Sequence, residues 1–241
     1  MDVRKEYQPS AAAASLNETD AAGLPQLDCG WKLEEFLIAG RTLKLALPAV
    51  PDGLLDDPSV RIANASDDYM PYWAWLWPAS IRMSEMILNR NWVHGSESLE
   101  LGCGVGMVGI AAMLAGMHVT MTDYDPNALA VASTNAHLNG LTQFACRELD
   151  WRTPWSAQFS LIFGCDVLYE TRNIEPVLNV IDSMMSQDGV CWLADGGRTP
   201  AADFVQAARQ RGYQVHIYDA DGSPMEIPGT QFQLFELRSS K

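Results

Sequence analysis

The sequence predicts an α/β fold: a mostly parallel sheet of seven strands with helices on both faces, an antiparallel hairpin closing its C-terminal end, and a small N-terminal β-hairpin extension. Three observations carry this. From residue 98 to residue 211, short apolar strand patterns alternate with helical ones, the mark of repeated β-α units. The last two strand patterns have only a loop between them, so they pair antiparallel. Finally, 241 residues with 48% hydrophobic content suffice for one large core.

Residues 1–30 are expected to form a disordered tail. Ala11 to Ala14 are followed by Asn17, Glu18, Thr19 and Asp20, which interrupt any secretory apolar run. Residues 31–70 form the extension. Its hairpin runs from Trp31 to Leu47, with Ala39-Gly40 at the turn and Leu43, Leu45 and Leu47 alternating with Thr42, Lys44 and Ala46. Pro48 to Asp68, with Pro48, Pro51, Gly53 and Pro58, reads as a loop.

Residues 71–241 form the main domain. Tyr72 to Leu88 is its first helix, with Pro78 in the first turn and Ile81, Met83, Met86, Ile87 and Leu88 on the buried side. Strands follow at Ser98 to Leu101, His118 to Thr122, Ala145 to Leu149, Leu161 to Cys165 and Val190 to Ala194. The helices among and after them are Gly106 to Ala115, Pro126 to Leu138, Ile174 to Met185 and Pro200 to Arg211. Tyr213 to Tyr218 and Gln231 to Leu237 form the closing hairpin.

Charge and composition narrow the function. A net charge of −14, with no basic cluster, disfavours nucleic acid and suits a cationic or lysine-bearing partner. No apolar run reaches the roughly 20 residues of a membrane span. Cys29, Cys103, Cys146, Cys165 and Cys191 lack C-x-x-C spacing, and His94, His118, His137 and His216 lack metal-ligand spacing. Reduced thiols in a cytoplasmic protein are expected, without a metal, and a monomer is the default.

The chemistry-bearing segment is Glu100-Leu101-Gly102-Cys103-Gly104-Val105-Gly106, a glycine turn between a strand and a helix. Such a turn lets a ligand approach the backbone and faces it with free N–H groups. Gly104-x-Gly106-x-x-Gly109, with Asp123 beyond it, also satisfies a dinucleotide fingerprint, so the motif alone does not choose the cofactor. Glu100 beside the turn disfavours a pyrophosphate and suits a phosphate-free ligand carrying an ammonium and a sulfonium. The reversed C-terminal hairpin points the same way.

This segment resembles motif I of the class I, seven-β-strand methyltransferases, which implies a Rossmann-like sheet and S-adenosyl-L-methionine as cofactor. The tryptophan-rich block Met70-Pro71-Tyr72-Trp73-Ala74-Trp75-Leu76-Trp77-Pro78-Ala79, Thr122-Asp123-Tyr124-Asp125, Leu149-Asp150-Trp151 and Asp166-Val167-Leu168-Tyr169 resemble the methyltransferase-16 group. That group holds many protein-lysine methyltransferases, including a branch directed at the electron-transfer flavoprotein β-subunit. The resemblance runs from about Trp31 to the C-terminus and does not specify the acceptor.

What it implies for this chain can be stated residue by residue. Gly102, Cys103, Gly104 and Gly106 hold the cofactor with Glu100. Asp123 takes the ribose hydroxyls, and Asp125 is either an alternative ligand or the cap of the next helix. Asp150 and Trp151 face the adenine, Trp77 faces the methionine end, and Cys165 ends the fourth strand beside them. Trp73 and Trp75 have no clear match. Asp166 and Tyr169, three apart, border the acceptor amine and supply the catalytic pair. Asp195-Gly196-Gly197-Arg198 is similar to a D-P-G-R segment of the flavoprotein-directed branch, with Gly196 in place of proline. The implied activity is methyl transfer to a protein lysine. A small-molecule N-methyltransferase and a cofactor-binding interaction protein without turnover are the alternatives.

Overall fold

The computed structural model describes residues 22–239. The expected tail is therefore described only from residue 22, where Leu24 and Leu27 pack against the core and Trp31 Nε1 donates to the Pro25 carbonyl at 3.0 Å; residues 1–21 lie outside the described residues. Strands β1 (Trp31–Ile38) and β2 (Arg41–Pro48) form the N-terminal hairpin, turning at Ala39-Gly40 with both residues at positive φ.

Two of the expected elements differ in the structure. The stretch Pro48 to Asp68 is not a loop: it holds a 3-10 turn, Pro51–Asp56, and helix α1, Pro58–Asp67. Pro51 and Pro58 sit at the starts of these two helices, where the missing N–H goes unneeded, and Asp57 caps α1 by accepting the Ser59 N–H at 2.7 Å. Nor is Tyr72 to Leu88 one helix. A single 3-10 turn, Tyr72–Ala74, is followed by extended Trp75 and Trp77, and α2 begins only at Pro78 (Pro78–Asn89). Trp77 precedes a proline, which drives it out of the helical region to ψ 135.

The remaining elements are β3 (Glu97–Leu101), α3 (Met107–Leu114), β4 (His118–Asp123), α4 (Pro126–Leu138), β5 (Phe144–Glu148), β6 (Phe159–Cys165), α5 (Ile174–Met184), β7 (Met185–Asp195), α6 (Pro200–Gln210), β8 (Tyr213–Tyr218), β9 (Pro224–Met225) and β10 (Gln233–Ser239). The main sheet runs β5-β4-β3-β6-β7-β10-β8-β9. Its first five strands are parallel. β10 lies antiparallel between β7 and β8, so the closing hairpin is threaded with its later strand innermost. The two-residue β9 at the edge adds an eighth strand to the seven expected.

Period-two alternation divides the sheet between two cores. Leu161 and Phe163 of β6 join Met83, Ile110 and Val131 on the face covered by the N-terminal hairpin, α2, α3 and α4. Ile162 and Leu193 join Val177, Ile181 and Phe204 on the face covered by α5 and α6. Burying each such side chain contributes about 1.5–3 kcal/mol. The parallel strands thus deliver their carboxyl ends to one edge of the molecule, where open α/β sheets place ligands.

Candidate active site

The glycine turn is shaped by what crowds it. Gly102, Gly104 and Gly106 have φ of 62, 51 and 86, a region L side chains avoid. A Cβ on Gly102 would stand 3.2 Å from Val167 and 3.4 Å from Trp151, and one on Gly106 only 2.9 Å from the Ala132 Cα. Cys103 N–H donates to the Thr122 carbonyl at 2.8 Å, fixing the turn to the end of β4. Gly106 itself is the N-cap of α3.

Three acidic groups surround this turn. Glu100 is buried and its Oε1 accepts the Gly109 N–H at 3.1 Å, while Oε2 has no donor. Burial holds its carboxyl well above the usual range, against the pull of that N–H. Asp123 accepts the Gly104 N–H at 3.0 Å through Oδ2 and the Asp125 N–H at 3.0 Å through Oδ1. Burial pushes it up to about 6. Asp125 caps α4 by accepting the Asn127 N–H at 2.8 Å, and its other oxygen takes the Tyr69 hydroxyl. Of the two roles weighed for Asp125, capping is the one observed in its contacts. Asp150 lies further out, clamped by Arg152, whose side-chain hydrogen bonds hold its carboxyl below the usual range.

A second group faces the turn from the ends of β6 and β7. Asp166, at φ 56, is buried; its Oδ1 accepts the Gly196 N–H at 3.2 Å and pairs with Arg198 Nη1. Burial raises the Asp166 carboxyl, and the Arg198 charge opposes that rise. Asp195 organises Arg198: Oδ1 accepts its backbone N–H at 2.7 Å, and Oδ2 lies 3.5 Å from its guanidinium. The same guanidinium lies 5.0 Å from the Trp77 ring centre. Tyr169 packs edge-on against Tyr72 at 5.1 Å, and Tyr72 in turn against Trp77 at 6.1 Å.

One cavity of about 610 Å³ joins both groups, within the roughly 300–1,000 Å³ usual for small-molecule sites. Glu100, Gly102, Cys103, Gly104, Asp123, Asp150 and Trp151 line one part of it, and Trp77, Cys165, Asp166 and Tyr169 another. Gly106 is not in the lining; it lets α4 pack beneath the turn. Residue reasoning missed Tyr69 and Tyr72, which also line the cavity, and the pairing of Arg198 with Asp166. The D-G-G-R segment was the one available signal for Arg198.

A family model described as "Lysine methyltransferase" matches residues 56–210, more than half of the chain. The chain belongs to the lysine methyltransferase family. It is similar to the electron transfer flavoprotein beta subunit lysine methyltransferase of Rattus norvegicus, 34% identical over 42% of this chain and 40% of the relative. It is also similar to the protein N-lysine methyltransferase METTL21A of Danio rerio, 31% identical over 49% of this chain and 58% of the relative. A longer match, 70% of this chain and 68% of the relative at 26% identity, is to the histone-arginine methyltransferase METTL23 of Mus musculus. The chain matches about two fifths of the length of the flavoprotein-directed relatives. A TehB-like SAM-dependent methyltransferase from Corynebacterium glutamicum shares the fold, with TM-score 0.57 at 19% identity over 80% of this chain and 100% of that one.

The cavity of this lysine methyltransferase family member fits S-adenosyl-L-methionine, the cofactor that the resemblance to motif I implies. Gly102 and Gly104 leave backbone open where a Cβ would intrude, and the orphaned Glu100 Oε2 lacks a donor that an ammonium can supply. Asp123 offers a carboxylate for paired hydroxyls. Among the described residues, no helix is long and apolar enough to cross a membrane.

Proposed function

We propose that this chain methylates a lysine side-chain amine of another protein, using S-adenosyl-L-methionine. The observation that carries the reading is the shared cavity: Asp166 and Tyr169, with the Tyr72–Trp77 aromatic wall, open onto the same space as the glycine turn. When bound, the cofactor supplies an electrophilic methyl on a sulfonium, so the acceptor nitrogen needs alignment, a free lone pair and exclusion of water.

The chain's residues have these roles in the proposal. Asp123 accepts the ribose hydroxyls, and Trp151, against Gly102, flanks the base. Asp150 keeps Arg152 in place at that end, with less free acceptor capacity than an unclamped carboxylate. Glu100 neutralises the ammonium, and the Cys103 and Cys165 thiols stay neutral because burial pushes both up. Arg198 and the Gly196 N–H occupy Asp166 Oδ1, so Oδ2, met among the described residues only by the weak donor Cys165 Sγ at 3.9 Å, orients the acceptor amine beside the Tyr169 ring. A lysine amine, with an ordinary pKa of about 10.4, sheds its proton to water against this aromatic, partly dry wall.

In this reading residues 71–241 are the methyltransferase domain and residues 31–70 its extension. The protein works in the cytoplasm as a monomer, on a protein and not a nucleic acid, consistent with the net charge of −14. Incubating lysate with enzyme and methyl-labelled cofactor tests it. Label in a protein band that hydrolyses to methyl-lysine supports the proposal. Label in methyl-arginine, in a small-molecule fraction or in nothing at all overturns the lysine assignment.

A further inference from the structure

Two asparagines at the end of α4 grip the N-terminal hairpin. Asn139 accepts the Lys44 N–H at 2.9 Å and donates to the Lys44 carbonyl at 2.7 Å. Asn135 repeats this clasp two residues along β2, accepting the Ala46 N–H at 2.7 Å and donating to its carbonyl at 3.1 Å. Each has a third bond, but the two lead to different places: Asn139 Nδ2 donates to the Asn135 carbonyl at 2.7 Å, back within its own helix, whereas Asn135 Nδ2 donates to the Val105 carbonyl at 2.8 Å, inside the glycine turn. Both Asn135 and Ala46 are fully buried.

The Val105 carbonyl needs that donor. In a continuous helix it would accept the Gly109 N–H four residues on. Here that N–H goes to Glu100 Oε1 at 3.1 Å. A buried carbonyl left without a donor is unfavourable, so the turn holds its conformation only while another donor reaches it. The close packing of Gly106 on Ala132, one turn before Asn135, brings that donor within reach.

We propose that Asn135 is a positioning residue for the cofactor turn and that, through it, the N-terminal hairpin forms part of the cofactor-binding apparatus. Occupancy of the turn and seating of the hairpin are then linked, each strengthening the other. This rests on the glycine turn being the cofactor turn.

The test compares N135A with N139A by calorimetric titration with S-adenosylhomocysteine, alongside thermal unfolding without ligand. Both variants lose the clasp on β2, and both are expected to lower the melting temperature. N135A is expected to weaken S-adenosylhomocysteine binding about tenfold, with N139A within about twofold of wild type. A second measurement needs no variant. Saturating S-adenosylhomocysteine should slow hydrogen exchange at the Ala46 amide of wild-type protein, which lies outside the cavity lining. Equal affinities for N135A and N139A, or an Ala46 amide indifferent to ligand, would overturn the role of Asn135. Wild-type protein that binds no S-adenosylhomocysteine would overturn the cofactor reading itself.

Discussion

Asp123 and Asp166 are both raised by burial, but they stand in different surroundings. Asp123 is pushed up to about 6, with Asp125 adding a like charge and the Gly104 and Asp125 N–H groups opposing it. The carboxylate form is needed to accept hydroxyls, so affinity for S-adenosylhomocysteine should hold above pH 7. It should fall up to about tenfold per unit as the pH drops through 6, and calorimetry from pH 5 to 8 checks this. The sign for stability is opposite. A raised folded-state value means the native protein binds the proton more tightly than the unfolded chain, so this residue's contribution is greatest at low pH and is lost as pH rises towards 6. Asp166 has an arginine instead. D166N should lower turnover by at least about tenfold while leaving S-adenosylhomocysteine affinity within twofold. Full turnover by D166N at saturating acceptor would refute its orienting role. The position of Asp123 was legible because it ends a recognisable strand. The Asp166–Arg198 pair was not, since its members are 32 residues apart and meet only when β6 and β7 align.

At the scale of elements, the strongly periodic ones were readable to within a few residues, and α5 with its regular Val177, Leu178, Val180 and Ile181 is an example. What escaped was punctuation by proline. Pro58 starts a helix with a largely exposed, polar surface, so α1 carried no apolar period to offset its turn-like neighbours. Pro78 ended the extended tryptophan segment that had looked helical. The segment is held at both ends: the Trp73 backbone, in the 3-10 turn, lies against Gly104, and the extended Trp77 sets its ring under Arg198. The glycine turn and α4 form a close junction. G106A should therefore destabilise the protein by about 1–3 kcal/mol, from both the φ of 86 and the contact with Ala132. Urea unfolding measures this, and a loss below about 0.5 kcal/mol would show that α4 can retreat.

On the scale of the whole molecule, both cores depend on β10. Its Leu234 packs into one core and Phe235 and Leu237 into the other, all fully buried. Glu236 between them accepts from Trp192 Nε1 at 2.8 Å and Arg90 Nη1 at 2.9 Å. Removal of residues 231–241 is expected to abolish cooperative thermal unfolding, because β7 and β8 then face each other across a missing strand. A sharp calorimetric transition in that truncation would contradict it. The alternation of β and α units made the parallel half of this sheet readable; that the hairpin would insert its second strand innermost was not, since sequence order does not give spatial order. This threading also sets a timetable for synthesis. Until residues 233–239 have been made and released, β7 has one edge unpaired, and β8 has no neighbour beyond the two-residue β9. The sheet closes only once residues 233–239 arrive, so the nascent chain carries an open, apolar strand edge, the kind of surface chaperones shield.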